Sequence, residues 1–119
     1  MGRTYRVLVA AQTAELNEVI ENILKENGIE AVCTTDSKTM FDKFGKEKFD
    51  LVVLWPGLSD SKGEELFDVF SGVSDIPVII LGEPDDEEEL KAFKRGCDDY
   101  IRTPFSPEIF CARVKALLM

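Results

Sequence analysis

The chain has no histidine among its 119 residues. That excludes His-dependent triads, imidazole acid–base chemistry and a phosphohistidine relay carried by this chain. Cysteine is scarce as well: Cys33, Cys97 and Cys111 make an odd number, with no CxxC or Cys/His metal spacing. A disulfide framework and a structural zinc site are not expected, and the three thiols read as small buried hydrophobes. No apolar run approaches the ~20 residues of a membrane-spanning helix. The N-terminus lacks the basic-then-apolar pattern of a signal peptide. A cytoplasmic location without a membrane partner is therefore expected. Positive charge is in short supply, with 14 Lys+Arg against 23 Asp+Glu and a net charge of −9. Nucleic-acid phosphate repels such a surface, so direct nucleic acid binding by this chain is not expected.

What is present is an ordinary globular mixture, 45% hydrophobic and 31% charged. It suits one domain over 1–119 with a single core, any output domain lying beyond Met119. Short apolar runs alternate with helical patterns from end to end. Residues 7–10 form a continuous apolar run, as in a strand buried on both faces. Leu16, Val19, Ile20, Ile23 and Leu24 follow at helical spacing, and Gly28 supplies the helix stop. Residues 29–34 read as a second strand. Asp36 or Ser37 caps a helix bearing Met40, Phe41 and Phe44. The central strand is 49–54. Ser61 opens a third helix that buries Leu66, Phe67 and Phe70, with Gly72 near its end. Strand four is 78–81, with Pro77 tolerated before it. Helix four spans 86–95, with Leu90 and Phe93 inward and Gly96 as its stop. Its acidic start, Asp85-Asp86-Glu87-Glu88-Glu89, suits the positive end of a helix dipole better than a metal site. Tyr100 and Ile101 mark strand five. Ser106-Pro107 opens a last helix with Phe110, Val114, Leu117 and Leu118 inward. Five strands alternating with five helices imply a parallel sheet covered on both faces.

Several segments carry a more specific resemblance. Arg6-Val7-Leu8-Val9-Ala10-Ala11-Gln12, Phe49-Asp50-Leu51-Val52-Val53-Leu54-Trp55 and Ile76-Pro77-Val78-Ile79-Ile80-Leu81-Gly82 resemble the first, third and fourth strands of response-regulator receiver domains. Gly96-Cys97-Asp98-Asp99-Tyr100-Ile101-Arg102-Thr103-Pro104-Phe105 resembles that family's Gly-Ala-Asp-Asp-Tyr-Ile-x-Lys-Pro-Phe run. The resemblance spans essentially the whole chain. It implies an α/β, three-layer (βα)5 flavodoxin-like receiver fold with a five-stranded parallel sheet in the order 2-1-3-4-5, ligands lying at the carboxyl ends of the strands. It also implies a cis Thr103–Pro104 bond.

The same resemblance assigns the family's chemical positions. The phosphate-accepting aspartate falls on Trp55, the two Mg²⁺-binding acids on Ala11 and Gln12, the strand-four Thr/Ser on Gly82 and the lysine on Thr103. Phosphoryl transfer to an aspartate needs a carboxylate, a divalent cation and a fixed positive charge. None of these residues supplies one, so no catalytic residue, metal or cofactor is expected and the chain is not expected to be an enzyme. Asp50 lies at the opposite end of strand three, and Asp60 and Glu83 read as solvated loop acids. Trp55 reads as a plug in the emptied pocket, with Gly82 giving the indole room, or as one wall of a small-molecule cleft.

The implied function is an atypical receiver in two-component, phosphorelay-type signalling, acting as a phosphorylation-independent interaction module. The face expected to serve a protein partner or self-association is helix four, strand five and helix five: Lys91, Lys94, Arg95, Asp98, Asp99, Tyr100, Arg102, Arg113 and Lys115. Asp98-Asp99 and Arg113 resemble residues that make cross-subunit salt bridges in the winged-helix transcription-factor branch. That branch's basic residue on helix four aligns with Glu89, and its acidic residue on helix five with Ile109. The alternative is a pseudo-receiver that senses a small molecule at the carboxyl edge near Trp55. A flavodoxin-like electron carrier would need a phosphate loop after strand one, and Ala11-Gln12-Thr13-Ala14-Glu15 is not one.

Overall fold

Three strands, β1 (Arg6–Ala10), β3 (Leu51–Leu54) and β4 (Val78–Gly82), are buried along nearly their whole length, which is why they read as unbroken apolar runs. The computed structural model describes residues 3–58, 60 and 63–119, with the side chains of 63–65 left aside. The edge strands are β2 (Glu30–Thr34) and β5 (Asp99–Arg102), and the parallel sheet runs β2-β1-β3-β4-β5, as expected. The helices are α1 (Ala14–Glu26), α2 (Ser37–Lys46), α3 (Gly63–Val73), α4 (Asp86–Arg95) and α5 (Pro107–Leu118).

Strand alternation divides the core in two. Leu8, Ala10, Val52, Leu54, Ile80 and Tyr100 face Met40, Leu66, Phe67 and Phe70 beneath α2, α3 and α4. Val7, Val9, Val53, Leu81 and Ile101 face Ile20, Leu24, Phe110 and Val114 of α1 and α5. Phe70 is buried against the rings of Phe41 and Phe44, at 5.0 and 4.9 Å between centroids.

Local chemistry sets the helix ends. Thr13, Asp36, Asp85 and Ser106 each accept a bond from a first-turn backbone N–H. Gly28 and Gly96 take positive φ, 73° and 102°, where the chain leaves α1 and α4. Thr103–Pro104 is cis. The expected Ser61 start of helix three lies outside the described residues.

Two expected inward faces are corrected. Leu90 is 57% and Phe93 44% exposed, so neither enters the core. The face of α4 turned to the sheet instead carries Glu88, Lys91, Ala92 and Arg95, with only Ala92 packed on the apolar core. Those positions recur at i, i+3, i+4 and i+7, the spacing of one helix face, and Leu90 and Phe93 share a different one. In α1, Val19 is half exposed. The inward place is filled by Asn17, whose side chain bonds the backbone at Ala11 and Thr34.

Candidate functional site

The strand register brings the anticipated positions to one edge. Ala10 pairs with Leu54, Leu54 with Ile80 and Gly82 with Arg102, so Ala11, Trp55, Gly82 and Thr103 all sit at the carboxyl ends of the strands. Trp55 N–H donates to the Ala10 carbonyl at 2.8 Å. Ala11 is fully buried, and its N–H is shared between the Thr34 carbonyl (3.3 Å) and Asn17 Oδ1 (3.2 Å). Asn17 Nδ2 donates in turn to Thr34 O at 2.9 Å. Gln12 is exposed on the turn. Thr103 donates to the Gly82 carbonyl twice, from N–H at 2.9 Å and from Oγ1 at 3.1 Å. This constellation carries neither a carboxylate nor an ammonium group.

Trp55 is half-buried and forms one wall of a cleft of about 240 Å³ beneath α4. Phe67, Ile80, Ala92 and Tyr100 make its apolar lining, and Glu83, Glu88, Lys91 and Arg95 its charged rim. The sequence suggests that the room at Gly82 serves the Trp55 indole, and the structure corrects this. That room is taken by the ring of Tyr100, whose hydroxyl donates to the Glu83 carbonyl at 2.8 Å. Burial, and then the nearby Glu88 and Glu89 carboxylates, hold the Tyr100 hydroxyl above its ordinary pKa.

The remaining acids are placed elsewhere or engaged. Asp50 lies at the opposite edge, accepting from Arg6 N–H at 2.8 Å and pairing with Arg3. Asp60 is not a free loop acid. Its carboxylate accepts from the N–H groups of Ser37 (2.8 Å) and Lys38 (3.3 Å), tying the segment after β3 to the first turn of α2. The bond from Ser37 N–H lowers its pKa, outweighing the smaller opposing effect of desolvation. No group of three His, Cys, Asp or Glu among the described residues is arranged to hold a metal. Desolvation pushes the Cys33 thiol up to about 12 and the Cys97 thiol up to about 11, so both stay protonated and inert near neutrality.

The expected interaction face is redrawn by side-chain direction. Tyr100 is buried. Asp98 accepts from Val78 N–H at 2.7 Å, Arg95 reaches Asp68 on α3, and Lys115 reaches Asn27 beyond α1. Tyr100 is thereby withdrawn from the surface, while Asp98, Arg95 and Lys115 each hold a partner within the chain. Arg102 stays at the surface and binds Glu89 and Asp86 of α4, while Arg113 of α5 binds Asp99 of β5 at 3.0 Å. Lys91 pairs with Glu88 along α4, and Lys94 is exposed. Asp86, Glu89, Leu90 and Phe93 fall on one helical stripe, so the Arg102 bridges turn Leu90 and Phe93 toward the uncovered edge of β5. Ile109, 55% exposed, lies one turn before Arg113 on the matching stripe of α5. Leu90 and Phe93 on α4 and Ile109 on α5 are thus exposed apolar side chains on the two helices tied to β5 by ion pairs. Hydrophobicity alone sends Leu90 and Phe93 to the core, and an Ile at the place of an acid is the signal in the sequence for an exposed apolar face.

The sheet order and the helices on both faces define a receiver-type, flavodoxin-like fold. The family profile of the response regulator receiver domain matches residues 7–115, and the chain belongs to that family. It is 32% identical over 117 residues to the phosphate regulon transcriptional regulatory protein PhoB of Klebsiella pneumoniae, covering 95% of this chain and 51% of that protein. It is 32% identical over 120 residues to the transcriptional regulatory protein RprY of Bacteroides fragilis, covering 99% and 51%. The chain therefore spans about half the length of these relatives. Among solved structures, a two-component response regulator from Clostridium difficile is 28% identical with a TM-score of 0.90, covering 97% of this chain and 96% of that one. An orphan response regulator of H. pylori is 29% identical with a TM-score of 0.82, covering 97% of both chains.

Proposed function

We propose that this receiver domain works in two-component signalling as a protein-interaction module whose state does not depend on phosphorylation. One observation carries the reading: the carboxyl edge of the sheet presents Ala11, Gln12, Trp55, Gly82 and Thr103. Mg²⁺ demands hard anionic oxygens and gives up water reluctantly. Gln12 alone, with one neutral carbonyl, does not suit it. Asp60 is no substitute nucleophile, because its carboxylate is bonded to the start of α2. The proposal therefore assigns the domain no enzymatic step and no cofactor. It places the domain in the cytoplasm, off membranes and off nucleic acid. No helix among the described residues is long and apolar enough to cross a membrane.

The working surface in this proposal is the ridge of Leu90, Phe93 and Ile109 beside β5, and the occupant is a second copy of the chain or a protein of matching surface. Apolar side chains set among Lys94, Arg102, Asp99 and Arg113 make a patch that is complementary to itself in both hydrophobicity and charge. The test of phosphorylation independence is direct. Incubated with acetyl phosphate and Mg²⁺, the protein keeps its intact mass. A gain of one phosphoryl group on any residue overturns the proposal.

A second reading, a sensor of a small aromatic molecule, is favoured by the cleft at Trp55. Its volume of about 240 Å³ exceeds the ~150 Å³ of an engineered apolar cavity that admits benzene. The two acids and two bases on its rim balance, which suits a neutral ligand. Trp55 is the only tryptophan, so a neutral bicyclic such as quinoxaline would quench its emission saturably. A linear, non-saturating response rejects this reading.

A further inference from the structure

The Trp55 indole carries one hydrogen-bond donor and no acceptor. Its backbone N–H is bonded to the Ala10 carbonyl, but the side-chain N–H donates to no group among the described residues. The edge that bears this N–H is turned to Gly57, a second residue lining the cleft beneath α4. Gly57 leaves that edge open: a Cβ placed there would lie 3.7 Å from Nε1 and 3.9 Å from Cδ1, in contact with the donor. The other donors around the cleft are engaged. The Tyr100 hydroxyl donates to the Glu83 carbonyl at 2.8 Å, Arg95 donates to Asp68 at 2.9 Å, and Lys91 pairs with Glu88 at 3.6 Å. A half-buried wall that is otherwise apolar thus presents a single fixed donor without a partner in the chain.

We infer that the Trp55 Nε1–H is the anchor of the cleft and selects its ligand: a flat, uncharged aromatic molecule bearing a hydrogen-bond acceptor on its edge. Phe67, Ile80 and Ala92 offer the rings an apolar bed, and the indole N–H takes the acceptor. A hydrocarbon of the same shape would cover the N–H without bonding it, and leaving a donor desolvated and unpaired is costly. A ligand whose edge carries only donors gains nothing from this wall. The inference rests on the sensor reading of the cleft and adds the chemistry that its ligand must carry.

Quinoxaline and naphthalene share a two-ring shape, and only quinoxaline has ring nitrogens that accept a bond. Equilibrium dialysis gives the Kd of each for the parent and for Trp55→Phe, which keeps an aromatic wall and removes the donor. Trp55→Phe should weaken quinoxaline roughly three- to tenfold more than naphthalene, the worth of one net hydrogen bond. Comparing the two ratios cancels the lost stacking area and the different hydration of the ligands. Equal weakening of both overturns the anchor and leaves the sensor reading standing. Failure of both ligands to bind the parent overturns the two together. Should Trp55→Phe fail to fold, the parent alone decides, because Trp55 is its one tryptophan. In a nitrogen–proton correlation spectrum the single indole N–H peak should move further downfield with quinoxaline than with naphthalene, and equal shifts overturn the anchor.

Discussion

Without metal, a variant carrying Ala11→Asp, Gln12→Asp, Trp55→Asp and Thr103→Lys should be less stable than the parent by about 3 kcal/mol or more. It should regain about 1–3 kcal/mol when Mg²⁺ exceeds its Kd ten- to a hundredfold. The loss has two sources. Ala11 is fully buried, so an aspartate there is desolvated and faces a second new carboxylate at 55 across the β1–β3 register. Removing the indole also strips one wall from the cleft. The gain follows from linkage, since an ion that binds only the folded state stabilises it. Thermal melts of parent and variant with and without Mg²⁺ read both effects, and the parent should show no Mg²⁺ dependence. A folded variant indifferent to Mg²⁺ would mean that these strand ends do not make a metal site even with acids restored.

The double substitution Leu90→Glu and Phe93→Glu should weaken self-association about a hundredfold or more. Each large apolar side chain buried at an interface contributes roughly 1.5–3 kcal/mol, and 1.4 kcal/mol is tenfold in Kd. Both side chains are exposed in the single chain, so circular dichroism and the melting temperature should change little. Arg113→Glu should weaken association less, because Arg113 already spends its charge on Asp99 within the chain. Sedimentation across a concentration series checks all three proteins. A parent that stays monomeric throughout rules out a second copy as the partner, and unchanged association in the double variant moves the interface off this ridge.

The sheet was legible because its signal is local. β1, β3 and β4 are apolar on both faces, and their ends were read to within two residues. Caps such as Asp36 and Ser106 lie beside the helices they open, so they too were visible. What went unread depends on distance in space. Asp60 caps a helix more than twenty residues earlier in the chain, and no window along the sequence shows that bond. The burial of Asn17 has no local signal, because its partners, Ala11 after β1 and Thr34 at the end of β2, come from separate parts of the chain. Leu90 and Phe93 were assigned inward on hydrophobicity alone, yet α4 turns the small Ala92 to the sheet and leaves both large side chains at the surface. Gly82 was recognised as a source of room, but only the structure shows that a tyrosine from the neighbouring strand occupies it.

An uncovered strand edge offers unpaired backbone groups to any other strand, which is how sheets grow into fibres. β5 is four residues long, and both of its ends carry charge. Asp99 is tied sideways to α5 and Arg102 to α4, so a docking strand would have to break ion pairs on both flanks. Copies that meet on this side therefore meet through side chains. Where the same patch meets itself on two copies the contact is isologous, and an assembly of that kind ends at a pair instead of growing without limit.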